Sequence, residues 1–170
     1  MLGQVYNVAP IAPDAEHTTY LDAGVLRLGV EYRRLDPEAL ADYYSGDDLA
    51  EVEEHSPEGG FTDEGVSIHI ESVVDDHEYI RFDVFLDDPH YHYVDKMAGT
   101  NTLIGYDRAA HGEMLPWVLG QVANRLGPML VAAGAPHVAE QLSGDAGSTM
   151  ADQLRSHLVG LGFDELDQQA

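Results

Sequence analysis

Two neighbouring segments of the chain alternate apolar and polar side chains with a period of two. The first runs from Val66 to Glu71 and the second from Tyr79 to Leu86. This period is typical of strands that bury one face, and it does not fit an amphipathic helix. Segments 25–33 and 90–94 alternate in the same way. Together they predict an antiparallel meander of at least four strands.

The hydrophobic pattern changes to a helical period in the second half of the chain. Residues 116–126 begin with a proline at a first helical position and have apolar residues spaced for one buried helix face. A break is predicted at Gly127-Pro128, followed by helical pieces near 129–133, 136–142 and 150–159. Strands followed by helices indicate the α+β class, with C-terminal helices covering one face of the antiparallel sheet.

The chain has 170 residues, of which 44% are hydrophobic, and this predicts a single domain over 1–170. Residues 1–24 are predicted to form an extended N-terminal arm that ends in a turn. Segment 47–64 is rich in acidic residues and is interrupted by Pro57, Gly59 and Gly60. We therefore predict an acidic mobile loop there, serving either as a lid or as a solvated connection.

The charge balance excludes two classes of partner. The chain has 31 acidic and eight basic residues, which gives a net charge of −23. Such a chain repels nucleic acid and anionic membrane surfaces, because both are bound through Lys and Arg. Self-repulsion of this size is screened by concentrated salt, which favours a halophilic source.

The remaining composition predicts a cytoplasmic protein. The chain has no cysteine, so disulfides, thiolate catalysis and cysteine-based zinc sites are excluded. Residues 1–12 lack the basic start of a signal peptide, and no apolar run approaches the roughly 18 residues of a membrane span. A homodimer is the default expectation for a domain of this kind.

The polar faces of the predicted strands carry the candidate site. In the first hairpin, a five-residue loop keeps apolar residues opposite each other and places Glu71 opposite Arg81 and His69 opposite Asp83. The same criterion places Asp83 opposite His92 in the next hairpin. The sequence therefore predicts six ionisable side chains on one face: His69, Glu71, Arg81, Asp83, His90 and His92.

This set predicts a metal site. His90 and His92, two residues apart on a strand, point the same way and suit imidazole coordination of one metal. His69 is predicted as a third ligand, with Asp83 and Glu71 orienting the ligands or performing acid–base catalysis. The expected cofactor is a divalent transition metal: zinc, iron or manganese.

The His90-Tyr91-His92 pattern is similar to the metal motif of cupins. The resemblance covers only these residues. No glutamate follows at the cupin spacing, and the helical C-terminal half does not fit a cupin barrel. We therefore assign no family from the sequence.

Arg81 is predicted to hold the anionic group of a small substrate. Without a metal, Arg81 together with Arg27 and Arg33 forms a clamp for a carboxylate or phosphate, and His92 paired with Asp83 serves as general base. A purely structural alternative leaves Arg81 in a cross-strand ion pair.

The leading hypothesis is a small-molecule enzyme with a His-rich, metal-assisted site on the polar face of the sheet. The alternative is a non-catalytic ligand-binding or homo-oligomeric assembly module of a salt-adapted cytoplasm. In that case the polar face is an interface that a second subunit covers.

Overall fold

The computed structural model describes residues 3–56 and 60–163. The strands of this part are β1 (Gln4–Tyr6), β2 (Thr19–Ala23), β3 (Leu26–Leu35), β4 (Asp63–Ser72), β5 (His77–Phe85), β6 (His90–Asp95) and β7 (Thr100–Gly105). The helices are α1 (Pro37–Tyr43), α2 (Gly46–Glu54), α3 (Arg108–His111), α4 (Met114–Ala132), α5 (Pro136–Ala139) and α6 (Ala146–Gly160).

The strands form an antiparallel sheet in the order β1-β7-β6-β5-β4-β3-β2. From β2 to β7 each strand pairs with the next one along the chain, which makes a meander. Only β1 breaks this order, because it pairs with β7 at the far edge. The predicted α+β class is confirmed, as is the cover of C-terminal helices α4, α5 and α6 on one face.

The helix-covered face of the sheet is apolar. Leu28, Ile68 and Phe82 are fully buried on the central strands and share one hydrophobic core with Val118 of α4 and Leu154 of α6. On each of these strands most buried apolar residues lie at every second position. The polar side chains between them therefore point to the opposite face of the sheet. The apolar period therefore determines which side of the sheet holds the polar cluster.

Helix α4 is longer than the sequence pattern predicted. It continues from Met114 to Ala132 with Pro128 inside it, so the predicted break at Gly127-Pro128 is wrong. Proline removes one backbone hydrogen bond from the helix. Here Leu126, Met129 and Leu130 remain buried on both sides of it. Packing of this continuous apolar face outweighs the missing bond.

The other face of the sheet is covered by α1, α2 and the segment that follows β1. A second hydrophobic cluster forms there around Val8, Leu40 and Tyr44, and Leu49 and Val52 of α2 pack against it. Two acidic residues in the first turn of α2 are favourably placed at the positive end of the helix. Amphipathic packing and helix-end electrostatics together explain a helix in an acidic segment.

The structure describes most of the three segments predicted from the sequence. The extended arm predicted at 1–24 contains β1 and β2, and the mobile acidic loop predicted at 47–64 contains most of α2 and the start of β4. Residues 1–2 and 57–59 of these segments lie outside the described residues, as do residues 164–170 of the predicted single domain 1–170.

The strand registers differ from the prediction by two residues. His69 lies opposite Arg81 and Ser67 opposite Asp83, where the sequence pattern placed His69 opposite Asp83. In the next hairpin His90, not His92, lies opposite Asp83. Because side chains alternate between faces, a shift by two keeps every residue on its predicted face.

A β-bulge between β4 and β5 accounts for part of this difference. Ile70 pairs with Ile80, whereas Glu71 pairs with Glu78, so Tyr79 is an extra residue on β5. The bulge directs Tyr79 into the core, where it is 1% exposed. It also brings Glu78 onto the polar face.

Candidate metal centre

The polar face of the central strands is buried. His69, Arg81 and Asp83 are at most 2% exposed, and His90 and His92 are 7% and 6% exposed. The sequence-based alternative placed this face at an interface between subunits. In the structure the chain itself covers it, with α1, α2 and the N-terminal segment across a cavity.

Asp83, His90 and His92 form a compact group, called the metal group below because its atoms could hold a metal ion. One ligand atom from each residue lies within 4.8 Å of the other two. Nε2 of His92 is 3.1 Å from Oδ2 of Asp83, and Nε2 of His90 is 3.4 Å from the same oxygen. The structure therefore brings together two of the three predicted metal ligands and a carboxylate predicted to act beside them.

The outer nitrogens of both imidazole rings are bound to acceptors. Nδ1 of His90 donates to the main-chain oxygen of Asp88 at 2.7 Å, and Nδ1 of His92 donates to Oδ1 of Asn101 at 2.8 Å. A neutral ring with its proton on Nδ1 presents a lone pair at Nε2. With both rings neutral, both lone pairs would be directed at the Asp83 carboxylate. Such a set of three acceptors is suited to a cation.

Protonation at this group follows from burial and from the shared carboxylate. Burial opposes the charge of Asp83, but its contacts with His90 and His92 hold the pKa of its carboxyl well below the usual value. Burial also opposes protonation of His90, yet the bond to Asp83 and its charge raise the pKa of that ring. Burial lowers the pKa of His92. Without a metal, a proton on His90 balances Asp83, and a divalent ion would replace that proton.

His69 lies in a separate network on the same face. Its Nδ1 donates to Glu78 at 2.6 Å and its Nε2 donates to Glu31 at 2.9 Å, so both ring nitrogens are used by carboxylates. Glu31 also binds Arg33, and Glu78 accepts from Nε and Nη2 of Arg81 at 2.8 and 2.6 Å. The structure thus places His69 in an ion network and not among the ligand atoms that face Asp83.

Glu71 is placed away from the metal group. It lies opposite Arg27 in the sheet and accepts from Nε of that residue at 2.5 Å. The Arg27 guanidinium in turn lies over the Tyr20 ring, 4.8 Å from its centroid. This arrangement joins β2, β3 and β4 near one edge of the sheet.

Sequence reasoning did not select four residues that support the site. Ser67 donates to Oδ1 of Asp83. Asn101 orients His92, and Glu31 and Glu78 bind His69. Their sequence signals are weak, because a single serine or asparagine on a strand has no distinguishing pattern. Glu78 also lies beside the bulge, where alternation does not predict the face.

Asp63, at the start of β4, was also not selected and supports the metal group indirectly. Its carboxylate accepts from the backbone N–H groups of Leu86, Asp87 and Asp88 at 3.1, 3.2 and 2.8 Å. These bonds hold the turn between β5 and β6, whose Asp88 carbonyl orients His90. Asp63 therefore helps to fix the orientation of His90 by holding the backbone of this turn.

A cavity of about 780 Å³ lies directly above the group. Its floor is the polar face of the sheet, and its cover is mainly apolar. The floor residues are Arg33, Arg81, His90, His92 and Asn101, and the apolar cover includes Val8, Ile11, Leu40, Tyr44, Val52 and Phe61. A ligand in this cavity would contact both surfaces and lie beside two histidines of the metal group.

The cover is attached to the sheet by defined hydrogen bonds. Nη1 and Nη2 of Arg33 donate to the main-chain oxygens of Ile11 and Ala12 at 3.1 and 2.9 Å. The hydroxyl of Tyr44 donates to the main-chain oxygen of Ala9 at 2.7 Å. These bonds position the segment after β1 above the metal group.

The bond between Asn101 and His92 gives a direct prediction. Replacing Asn101 by alanine removes the acceptor that keeps the proton on Nδ1 and orients the ring. We expect metal affinity to fall by about 10–100-fold, the usual cost of losing such a partner. Competition with a chelating dye measures this change.

The control is Asn124→Ala on α4, where the side chain donates to the main-chain oxygen of Gly120 and is exposed. It should leave affinity unchanged. Equal affinities for the two variants would contradict a ligand role for His92.

Comparison with family models gives one match. A model described as a domain of unknown function, DUF7700, matches residues 20–158. The chain belongs to this family. The DUF7700 match includes the three residues of the metal group and Asn101, and it begins after β1 and the segment that covers the cavity. Searches of curated proteins and of solved structures gave no match.

Within residues 3–56 and 60–163, no helix has the length and apolar character needed to cross a membrane.

Proposed function

We propose that this DUF7700 protein is a metal-dependent enzyme that acts on a small molecule. The supporting observation is the convergence of Nε2 of His90, Nε2 of His92 and a carboxylate oxygen of Asp83 beside a cavity of about 780 Å³. Each of these side chains is buried and positioned by a further hydrogen bond. Such outer contacts are typical of metal ligands.

The chemistry of the donor set agrees with a divalent transition metal. Two imidazole nitrogens and one carboxylate oxygen suit zinc, iron or manganese. Three protein ligands leave coordination positions for water or substrate, as in catalytic sites, whereas structural zinc sites use four protein ligands. When bound, such a metal would polarise a substrate oxygen or lower the pKa of a water molecule.

The surrounding residues have separate roles in this proposal. Asp83 serves as a ligand, and Ser67 and Asn101 hold Asp83 and His92 in the orientation that binding requires. Arg81 borders the cavity on the strand next to His92 and lies directly opposite it. Its guanidinium is positioned by Glu78 to receive an anionic substrate group.

The proposal is tested by metal content and by access to the metal. Untagged protein is purified in high salt without chelator, exposed separately to zinc, iron(II) and manganese, and analysed for metals after dialysis. We expect about one ion per chain. No retained metal in any sample would refute the metal centre.

Cobalt(II) substitution then separates a catalytic centre from a structural one. An open coordination position binds azide, which changes the visible absorption spectrum of the cobalt protein. An unchanged spectrum at saturating azide would show a closed coordination sphere and would contradict an enzymatic role.

A further inference from the structure

The cavity has two surfaces of different chemistry, and together they define a class of ligand. The floor carries arginine, histidine and asparagine side chains, and the cover carries aliphatic and aromatic ones. Small-molecule sites commonly combine a large apolar lining with a few placed polar groups. Here both arginines and the histidines of the metal group are on the floor, opposite the apolar side chains of the cover, so a ligand that satisfies both surfaces has a polar end and an apolar end.

The cover offers few polar atoms to a ligand. The Tyr44 hydroxyl already donates to Ala9, and burial raises its pKa to about 12, so it stays neutral. Ser56 donates to the main-chain oxygen of Val52, and Nδ1 of His55 donates to that of Glu51. The other cover residues named above, such as Leu40 and Phe61, contribute apolar side chains. Contact with the cover therefore favours an apolar group.

The floor carries an excess of positive charge. Arg33 and Arg81 contribute guanidinium groups to the floor. His69 does not line the cavity but is connected to both arginines through Glu31 and Glu78, and its two bonds to carboxylates make it an imidazolium. These three cations exceed the two anions of their network, Glu31 and Glu78. A divalent metal would add a second excess charge over Asp83. In a chain of net charge −23, this buried surface is suited to an anion.

Acidic residues at the cavity do not reverse this balance. The Asp63 carboxylate is occupied by backbone N–H groups of the β5–β6 turn. Asp87 and Asp88 also border the cavity, but both are exposed and screened by water.

We propose that the cavity binds an amphiphilic monoanion, with its charged head at the metal group and Arg81 and its apolar body against the α1–α2 cover. The head-group contact rests on the proposed function, whereas the apolar contact does not. A medium-chain carboxylate has both required parts.

The test compares octanoate, octylammonium and acetate by calorimetry on metal-loaded protein in high salt, with metal content measured on the same samples. Octanoate is expected to bind at least about tenfold more tightly than acetate, because each buried methylene adds to affinity. Octylammonium has the same apolar body and the opposite charge, and it is expected not to bind.

A pair of variants checks the cover. Val52 of α2 lines the cavity and is half-buried, whereas Val131 of α4 is 53% exposed and lies outside the cavity lining. Val52→Gln should weaken octanoate binding about tenfold and leave metal content unchanged. Val131→Gln should change neither quantity.

The outcomes separate the ligand class from the metal centre. Metal-loaded protein that binds octanoate no better than octylammonium or acetate would overturn the ligand class and leave the metal centre standing. Selective octanoate binding by protein that retains no metal would support the ligand class and refute the proposed enzyme.

Discussion

Replacing His92 by alanine is expected to reduce bound metal from about one ion per chain to below about a tenth of an ion after dialysis. The variant removes one of three ligand atoms and leaves His90 and Asp83 to hold the ion. Loss of an outer partner already costs about 10–100-fold in affinity, and loss of a direct ligand costs more. Metal analysis after dialysis against a weak chelator gives the result.

The control is His137→Ala. His137 lies on α5, is about half exposed and contacts Asp75, outside the metal group. Asp83→Asn provides a second test, because it keeps the side-chain shape and removes the charge that a divalent ion requires. Circular dichroism confirms the fold of each variant. Full metal content in both the His92 and Asp83 variants would refute the assigned ligands.

The second large effect is expected at Glu78. This carboxylate lies between His69 and Arg81 and its side chain is 13% exposed. Glu78→Gln leaves an imidazolium and a guanidinium buried without their shared counter-charge. Breaking a buried ion pair on one side costs about 3–5 kcal/mol, and we expect a loss of this size in the free energy of unfolding. Urea denaturation measures the loss.

Glu71→Gln is the matched control for this variant. Glu71 and Glu78 lie opposite each other in the sheet, but the Arg27 partner of Glu71 is 36% exposed. Water compensates an exposed guanidinium, so the expected cost is below about 1 kcal/mol. Equal losses for the two variants would show that the buried network does not differ from an ordinary surface pair.

The same network gives the pH dependence of stability. Burial opposes the charge of Glu78, but Arg81 and His69 hold its pKa below the usual value, so its contribution is lost as pH falls. Burial opposes protonation of His69, but Glu31 and Glu78 raise its pKa, so its contribution is lost as pH rises. With unfolded pKa values near about 4.3 and about 6.5, both contributions are present between roughly pH 5 and 6. Glu78→Gln should flatten both sides of this maximum.

The alternation of apolar residues was sufficient to predict the sheet and the face that carries the site. His69, Arg81, Asp83, His90 and His92 all lie on the predicted side. Their cross-strand partners were wrong by two residues, an error that leaves the face unchanged. Hydrophobic pattern therefore determines the face of a side chain more firmly than it determines its neighbours.

Two local features could not be predicted from the sequence pattern. The bulge at Tyr79 moves this aromatic side chain into the core and brings Glu78 beside His69. Both ring nitrogens of His69 are then bound to carboxylates, those of Glu78 and Glu31. The cover of the cavity depends on packing between α2 and the distant Val8, and the acidic composition of α2 predicted a loop instead. Tertiary contacts decide both features.

The pairing of β1 with β7 determines the order in which the cavity can be completed. Tyr6 lies opposite Asn101, so β1 pairs with a strand that emerges roughly 95 residues later during synthesis. The hairpin from β5 to β6, which carries Asp83, His90 and His92, has only short-range connections and can form before β1 pairs. The candidate metal ligands can thus be arranged on an open sheet before the earlier-synthesised segment after β1 takes its place over them.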